Sequence, residues 1–238
     1  MAEHVPAEGE RLSKRVAALR GCSRREAEWL IEGGWVRVDG QIVEAPQTRV
    51  GAQTVEIDRD ARVEPPVPVT LLWCASADDA RAPAPSPENR SVEDRSGIRP
   101  LRRHFTQLHE VLPMEPGAGG LVVLTQDERV LRRVTDPRTP VEQEYVVEVQ
   151  DVLDDDALDR LTRAAQAEAR GGVQLRVSRQ SERRLRLAHK GLGAGRITAL
   201  CLGAGLAPVL IRRLRIGRVP LAGLPPGQWR YLPAHHRF

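Results

Sequence analysis

The chain has 238 residues and a formal net charge of +4; 29% of its residues are charged and 3% are aromatic. That length suits one larger domain or two smaller ones, and so few aromatics leave the cores to Leu, Val, Ala and Ile. Cys22, Cys74 and Cys201 are odd in number and far apart, which speaks against a disulfide framework or a metal site and for a reducing cytoplasm. The opening MAEHVPAEGE is polar and acidic, unlike a signal peptide, and no apolar run is long enough to cross a membrane.

Residues 10–45 carry the densest pattern. Leu12, Val16 and Leu19 recur at helical spacing among Arg11, Lys14, Arg15 and Arg20. Gly21 and Cys22 interrupt that helix. Ser23-Arg24-Arg25-Glu26 has the form of a capping box, so a second helix starts there, with Ala27, Leu30 and Ile31 on its apolar face. Gly33-Gly34 stops it. Residues 35–38 read as a strand, Asp39-Gly40 as a two-residue turn and residues 41–43 as the return strand. From Arg11 to Arg37 there are seven Lys/Arg and three Glu. Arg24 and Arg25 stand at a helix start, where free backbone N–H groups also attract phosphate. A solvated charged face is the plain alternative for charge alone. The capping box, glycine stop and Asp-Gly turn in this order favour an anion site.

R-L-S-K…S-R-R-E-A…I-x-x-G-x-V-x-V-D-G resembles the S-four RNA-binding domain over about residues 10–57. That resemblance implies binding of structured RNA through Arg11, Lys14, Arg15, Ser23, Arg24 and Arg25.

Beyond it, VEPPVP over residues 63–68 reads as a linker between a first domain, 1–62, and a second, 69–238. Residues 70–73 suit a strand. Residues 75–100 are rich in Ala, Pro, Ser and charge, and suggest a mobile loop. Residues 120–124 form a continuous apolar run, a buried strand, and Thr125-Gln126-Asp127-Glu128 repeats the capping-box form ahead of a helix to about Val134. A strand over 144–149, an amphipathic helix over 155–170, a basic strand over 210–217 and a final strand over 228–232 follow. Strands and helices interleave without βαβ regularity, so the class is α+β with a mixed, mainly antiparallel sheet.

From Arg176 to Phe238 there are thirteen Lys/Arg and one acid, Glu182, a difference of +12 that suggests a polyanion partner. Within it Arg212, Arg213 and Arg215 alternate with apolar residues, as a strand with one charged face would; phosphate contact and plain solvation are both open for them.

GLVVLTQDERVLRRVTDPRTPVEQEYVVEV is similar to the central segment of the RsuA-type bacterial ribosomal RNA pseudouridine synthases, and RRLRIGRVPLAGLPPGQWRYL resembles their C-terminal end. The resemblance implies a structured, ribosomal RNA partner and no cofactor or metal, with a monomer as the default state. It also implies a reaction in which a flipped uridine is attacked by an Asp carboxylate. The C1′–N1 bond breaks, the base turns and a C1′–C5 bond forms. The family's Asp lies in Gly-Arg-Leu-Asp-x-x-Thr-x-Gly-Leu. Here Glu115 takes that position, Pro113 the Arg position and Ala118 the Thr position. Tyr145 matches the tyrosine that stacks on the base, and Gln143 stands for the lysine two residues before it. The basic Gly-x-Asn-Arg-Gln-Ile-Arg-Arg-Met motif corresponds to Leu192 through Leu200, where Arg196 alone is charged. Leu72-Trp73-Cys74-Ala75 stands for Leu-Asn-Lys-Pro. Four site segments are altered while the framework motifs are kept, so the resemblance implies a degenerate active site: an RNA-binding member with weakened or lost isomerisation, or alternatively a synthase with Glu115 as nucleophile.

Overall fold

The computed structural model describes residues 9–77, 84–233 and 238. Two compact units are present. One holds residues up to 68 together with 99–106, and the other holds 69–98 and 107–238.

In the first unit, α1 (Leu12–Arg20) ends on Gly21 in the left-handed region at φ 68°, and its backbone N–H closes onto the Ala17 carbonyl. Ser23 caps α2 (Arg24–Glu32), with both arms of the capping box formed. The strands β1 (Val36–Val38), β2 (Gln41–Ile42) and β3 (Val55–Ile57) pair in the order β2-β1-β3. Asp39 and Gly40 both take positive φ, as the tight turn between β1 and β2 demands. Leu12, Val16, Ala27, Leu30, Ile31 and Val36 are fully buried in one cluster. Residues 99–106 belong to this unit, outside the boundary read from the sequence. The Arg99 guanidinium donates to the Gly33 carbonyl (3.0 Å) and lies over the Trp35 ring, and the Arg103 side chain donates to the Val67 carbonyl (2.9 Å).

The second unit is a nine-stranded sheet among the described residues. Its path uses β4 (Thr70–Ala75), β5 (Gly119–Thr125), β6 (Gln143–Val149), β7 (Gln174–Arg179), β8 (Arg184–Lys190), β9 (Pro208–Ile216) and β10 (Trp229–Tyr231), in the order β7-β8-β6-β9-β5-β4-β10. The β9–β5 pair is parallel, with Arg213 opposite Gly120, and its neighbours along the path are antiparallel. The helices are α3 (Glu128–Thr135), α4 (Asp155–Arg170) and α5 (Arg196–Gly203). Val147, Val149, Leu185, Leu187, Leu161, Ile197 and Cys201 pack one face of the sheet with α4 and α5. A second cluster, with Leu72, Leu121, Val123, Val134 and Ile216, packs around β4, β5 and α3.

Three local expectations are corrected. Asp127, not Thr125, caps α3, because its carboxylate accepts the Arg129 backbone N–H while the Thr125 hydroxyl bonds the Thr70 hydroxyl. The hairpin β7–β8 and helix α5 were not expected, although Leu185 and Leu187 alternate with Arg184 and Arg186 along β8. Residues 84–98 are tied to β10 and do not form the expected mobile loop. The Trp229 indole N–H donates to the Ser86 carbonyl (2.6 Å), the Asn89 amide to the Gly227 carbonyl (2.9 Å), and the Ser91 backbone N–H to the Trp229 carbonyl (2.8 Å). Residues 78–83 of that segment lie outside the described residues.

Candidate functional site

In the first unit the helices set out the expected cations. Arg11 precedes α1 and is exposed. Lys14 and Arg15 both pair with Glu10, and Arg15 also donates to the Gly51 carbonyl (3.2 Å). Arg24 pairs with Glu28 at 3.9 Å, and the Arg25 guanidinium stands 5.6 Å from the centre of the Trp29 ring. The Ser23 hydroxyl is taken by the Glu26 backbone N–H (3.3 Å), and in return the Ser23 N–H donates to the Glu26 carboxylate (2.7 Å). Those bonds hold the Glu26 carboxyl below its ordinary range. Ser23 therefore organises the helix start, and the arginines that follow it project from a turn with free N–H groups. Lys14 and Arg24 expose most of their side chains, 75% and 59%, so their surface ion pairs leave the cations available to an anion.

In the second unit, Glu115 and Tyr145 are brought together. Arg213 links their segments: its Nη1 donates to the Pro113 carbonyl (3.2 Å), two residues before Glu115, and reaches the Tyr145 hydroxyl (3.4 Å). Burial raises the Tyr145 pKa, and the Arg213 charge opposes that shift. Glu115 is 3% exposed. One carboxylate oxygen accepts the Gly195 backbone N–H (2.8 Å); the other accepts the Thr198 backbone N–H and hydroxyl (2.9 Å each). Gly195 is the N-cap of α5 and has no side chain to cap with, at φ 81°. Glu115 thus supplies from a distant loop the capping oxygen that α5 lacks, at the positive end of the helix dipole.

Tyr145 is 2% exposed. Its ring stacks on His189, centroids 5.6 Å apart at 15°, and its hydroxyl donates to Gln143 Oε1 (3.2 Å). Beneath them lies Arg213, with no exposed surface. Its Nε donates to the Leu121 carbonyl (2.7 Å), and Nη1 to the Leu112 and Pro113 carbonyls (3.2 Å each) and Gln143 Oε1 (3.0 Å). The guanidinium fastens the loop before Glu115 to the strand that carries Tyr145. Arg213 Nη2 and His189 Nδ1 are buried without a hydrogen-bond partner among the described residues. Burial and the Arg213 charge push the His189 pKa down to about 4.

The remaining sequence candidates are placed elsewhere. Arg196 pairs with Glu168 of α4. Arg212 reaches Cys74 Sγ at 3.8 Å, and Arg215 bridges Glu142 (2.6 Å) and Glu144 (2.8 Å). Arg213 cannot touch phosphate from a fully buried position, which corrects that expectation. His189 was missed, although the inward positions Leu185, Leu187 and His189 of an alternating strand already put it on the Tyr145 face. Thr198 sits where the family motif has an arginine, and the sequence did not show that it meets Glu115. Among the described residues no cluster of His, Cys, Asp and Glu could hold a metal ion, and no helix is long and apolar enough to cross a membrane.

A profile of the S4 domain matches residues 10–55. An uncharacterized RNA pseudouridine synthase of Aquifex aeolicus (strain VF5) is 27% identical over 237 residues, covering 93% of this chain and 92% of the relative. The ribosomal large subunit pseudouridine synthase B of Yersinia pestis is 28% identical, covering 94% and 73%, and the dual-specificity RNA pseudouridine synthase RluF of Salmonella typhi is 23% identical, covering 93% and 75%. The crystal structure of a pseudouridylate synthase shares the fold, with a TM-score of 0.51 and 19% identity over 93% of this chain and 95% of that one. The fold is α+β with an S4 domain at the N-terminal end, and over nearly its whole length the chain is similar to RNA pseudouridine synthases.

Proposed function

We propose that this chain binds structured RNA, ribosomal RNA foremost, and that its uridine-to-pseudouridine isomerisation is weak or lost. The observation that carries the reading is the state of Glu115. A nucleophilic carboxylate needs an oxygen aimed at the reacting carbon. Both oxygens of Glu115 are instead engaged by donors of α5. Tyr145, the stacking candidate, has His189 against its ring. The cationic first unit keeps what RNA recognition needs, and a relative named for the large ribosomal subunit supports ribosomal RNA as the target class. The same reading takes the chain to act as a monomer in a reducing cytoplasm, which suits three free cysteines.

The second reading, a synthase using Glu115 as nucleophile, is favoured by Arg213, which bonds both the Pro113 carbonyl beside Glu115 and the Tyr145 hydroxyl. One experiment separates them. Ribosomal RNA pseudouridines are mapped in cells with and without the gene, and the purified chain is incubated with unmodified ribosomal RNA. The first reading expects RNA binding that weakens steeply with salt and no new pseudouridine. A uridine converted by the intact chain, and not by a Glu115→Gln variant that keeps the circular dichroism and thermal melt of the unaltered chain, establishes the second.

A further inference from the structure

Along β6 the side chains alternate between the two faces of the sheet. Tyr145 and Val147 point into the core under α4 and α5, so Glu144 and Glu148 point to the opposite face. The strand register brings arginines beside them there. Arg215 is paired with Glu144, Arg212 and Arg186 with Val146, Arg184 with Glu148, and Arg176 with Ala188, itself opposite Glu144. Glu144 is held between Arg186 (2.7 Å) and Arg215 (2.8 Å), Glu142 between Arg215 (2.6 Å) and Arg176 (2.9 Å), and Glu148 bonds Arg184 (3.0 Å).

Five arginines thus face three glutamates, and the outer layer is the cationic one. The Glu144 side chain is 6% exposed, against 79% for Arg176, 59% for Arg184 and 49% for Arg186. Each guanidinium carries five N–H donors in a planar fork. A glutamate beneath fixes its orientation and leaves outer donors for a second acceptor. A cavity of about 580 Å³ is lined by Glu144, Arg186, Arg212 and Arg215, so this face is grooved. It is walled on its far side by Leu221, Leu224, Pro225 and Pro226. Arg184 and Arg186, two residues apart on one face of β8, stand roughly 6.6 Å apart, close to the step between neighbouring phosphates of an extended RNA strand. A ladder of oriented guanidinium groups beside an apolar wall suits phosphate on one side and base on the other.

We infer that this face of the sheet, opposite the one that carries Tyr145, is a second RNA contact surface that grips the phosphate backbone through Arg176, Arg184, Arg186, Arg212 and Arg215. The inference rests on the RNA-binding reading above and adds a surface to it.

The test uses the full chain and a fluorescent RNA hairpin with a single-stranded flank, titrated across a salt series. Replacing Arg176, Arg184 and Arg186 together by Gln is expected to weaken binding and to flatten the plot of log K against log salt by about 0.7 to 0.9 for each phosphate no longer neutralised. Glu148→Gln frees Arg184 and removes a negative charge, so it is expected to tighten binding several-fold, a gain that misfolding cannot imitate. A wild-type slope in the triple variant, or unchanged affinity in Glu148→Gln, overturns the inference. If Arg24→Gln with Arg25→Gln lowers affinity while the triple variant does not, the RNA-binding reading stands and this surface falls. If the unaltered chain shows no salt-sensitive binding, both fall.

Discussion

The Glu115 carboxylate takes two hydrogen bonds from Thr198, one from the backbone N–H and one from the hydroxyl, both at 2.9 Å. This joins the loop before β5 to the first turn of α5. A carboxylate with one methylene more than Asp reaches the helix end, and a short Thr side chain leaves it room.

Removing that carboxylate leaves part-buried donors without their partner. Glu115→Ala is expected to destabilise the second unit by about 2–4 kcal/mol, since the Gly195 and Thr198 N–H groups lose their partner. Thr198→Val removes the hydroxyl alone and is expected to cost about 1 kcal/mol. Urea unfolding followed by circular dichroism measures both. A stability change within error for Glu115→Ala would remove the capping role.

Arg213 should tolerate replacement poorly. Arg213→Met leaves the Leu112, Pro113 and Leu121 carbonyls without their buried donor, and a loss on the order of 3 kcal/mol is expected. The loop carrying Glu115 should loosen first, read as faster amide exchange around residues 112–118 than elsewhere in the unit. Uniform exchange rates would argue against this fastening.

Gly120 is a sharper steric case. Its φ is 101°, and a Cβ there would lie 2.8 Å from the Arg213 backbone nitrogen and closer still to its carbonyl oxygen. Gly120→Ala must therefore push β9 from β5 as well as strain its own backbone. The expected outcome is insoluble or unfolded protein, checked by the soluble yield and thermal melt. Gly223→Ala serves as the control, because nothing lies within 4 Å of a Cβ there although its φ is also positive.

His189 predicts an acid sensitivity. Its pKa falls from 6.5 to about 4 because burial, aided by the Arg213 charge, disfavours the protonated ring. The folded chain then binds fewer protons than the unfolded chain between those values, so stability rises with pH across that window. The contribution is complete above about pH 6.5 and is lost as pH falls toward 4. His189→Phe keeps a ring against Tyr145 and removes the titration. Its unfolding free energy should change less than that of the unaltered chain between about pH 7 and about pH 5. His104 in the first unit, also lowered to about 4 by burial, acts with the same sign and remains in both proteins.

The first unit was legible because its signals are local. Helical spacing over Leu12 to Leu19, the Ser23–Glu26 box and the Asp39-Gly40 turn each act within a few residues of chain, where neighbours meet whatever the rest does. The strands at 70–75 and 119–125 were readable for a related reason: a run of apolar residues that long must be buried somewhere. The hairpin over 174–190 was not, because its alternation of Arg with Leu does not say which sheet it joins.

The candidate site divides along the same line. Framework segments carried the resemblance, and matched positions within it picked out Glu115 and Tyr145. The partners of the Glu115 carboxylate come from Thr198, 83 residues away, and the setting of Tyr145 from His189 and Arg213. Period-two alternation would set Arg213 with Arg215 and apart from Arg212, but a register shift between Arg213 and Arg215 brings Arg212 and Arg215 to one face. That distinction, which buries Arg213 and leaves Arg212 and Arg215 on the grooved side, exists only once β5, β6 and β9 lie side by side, because burial belongs to the packed sheet and not to the strand.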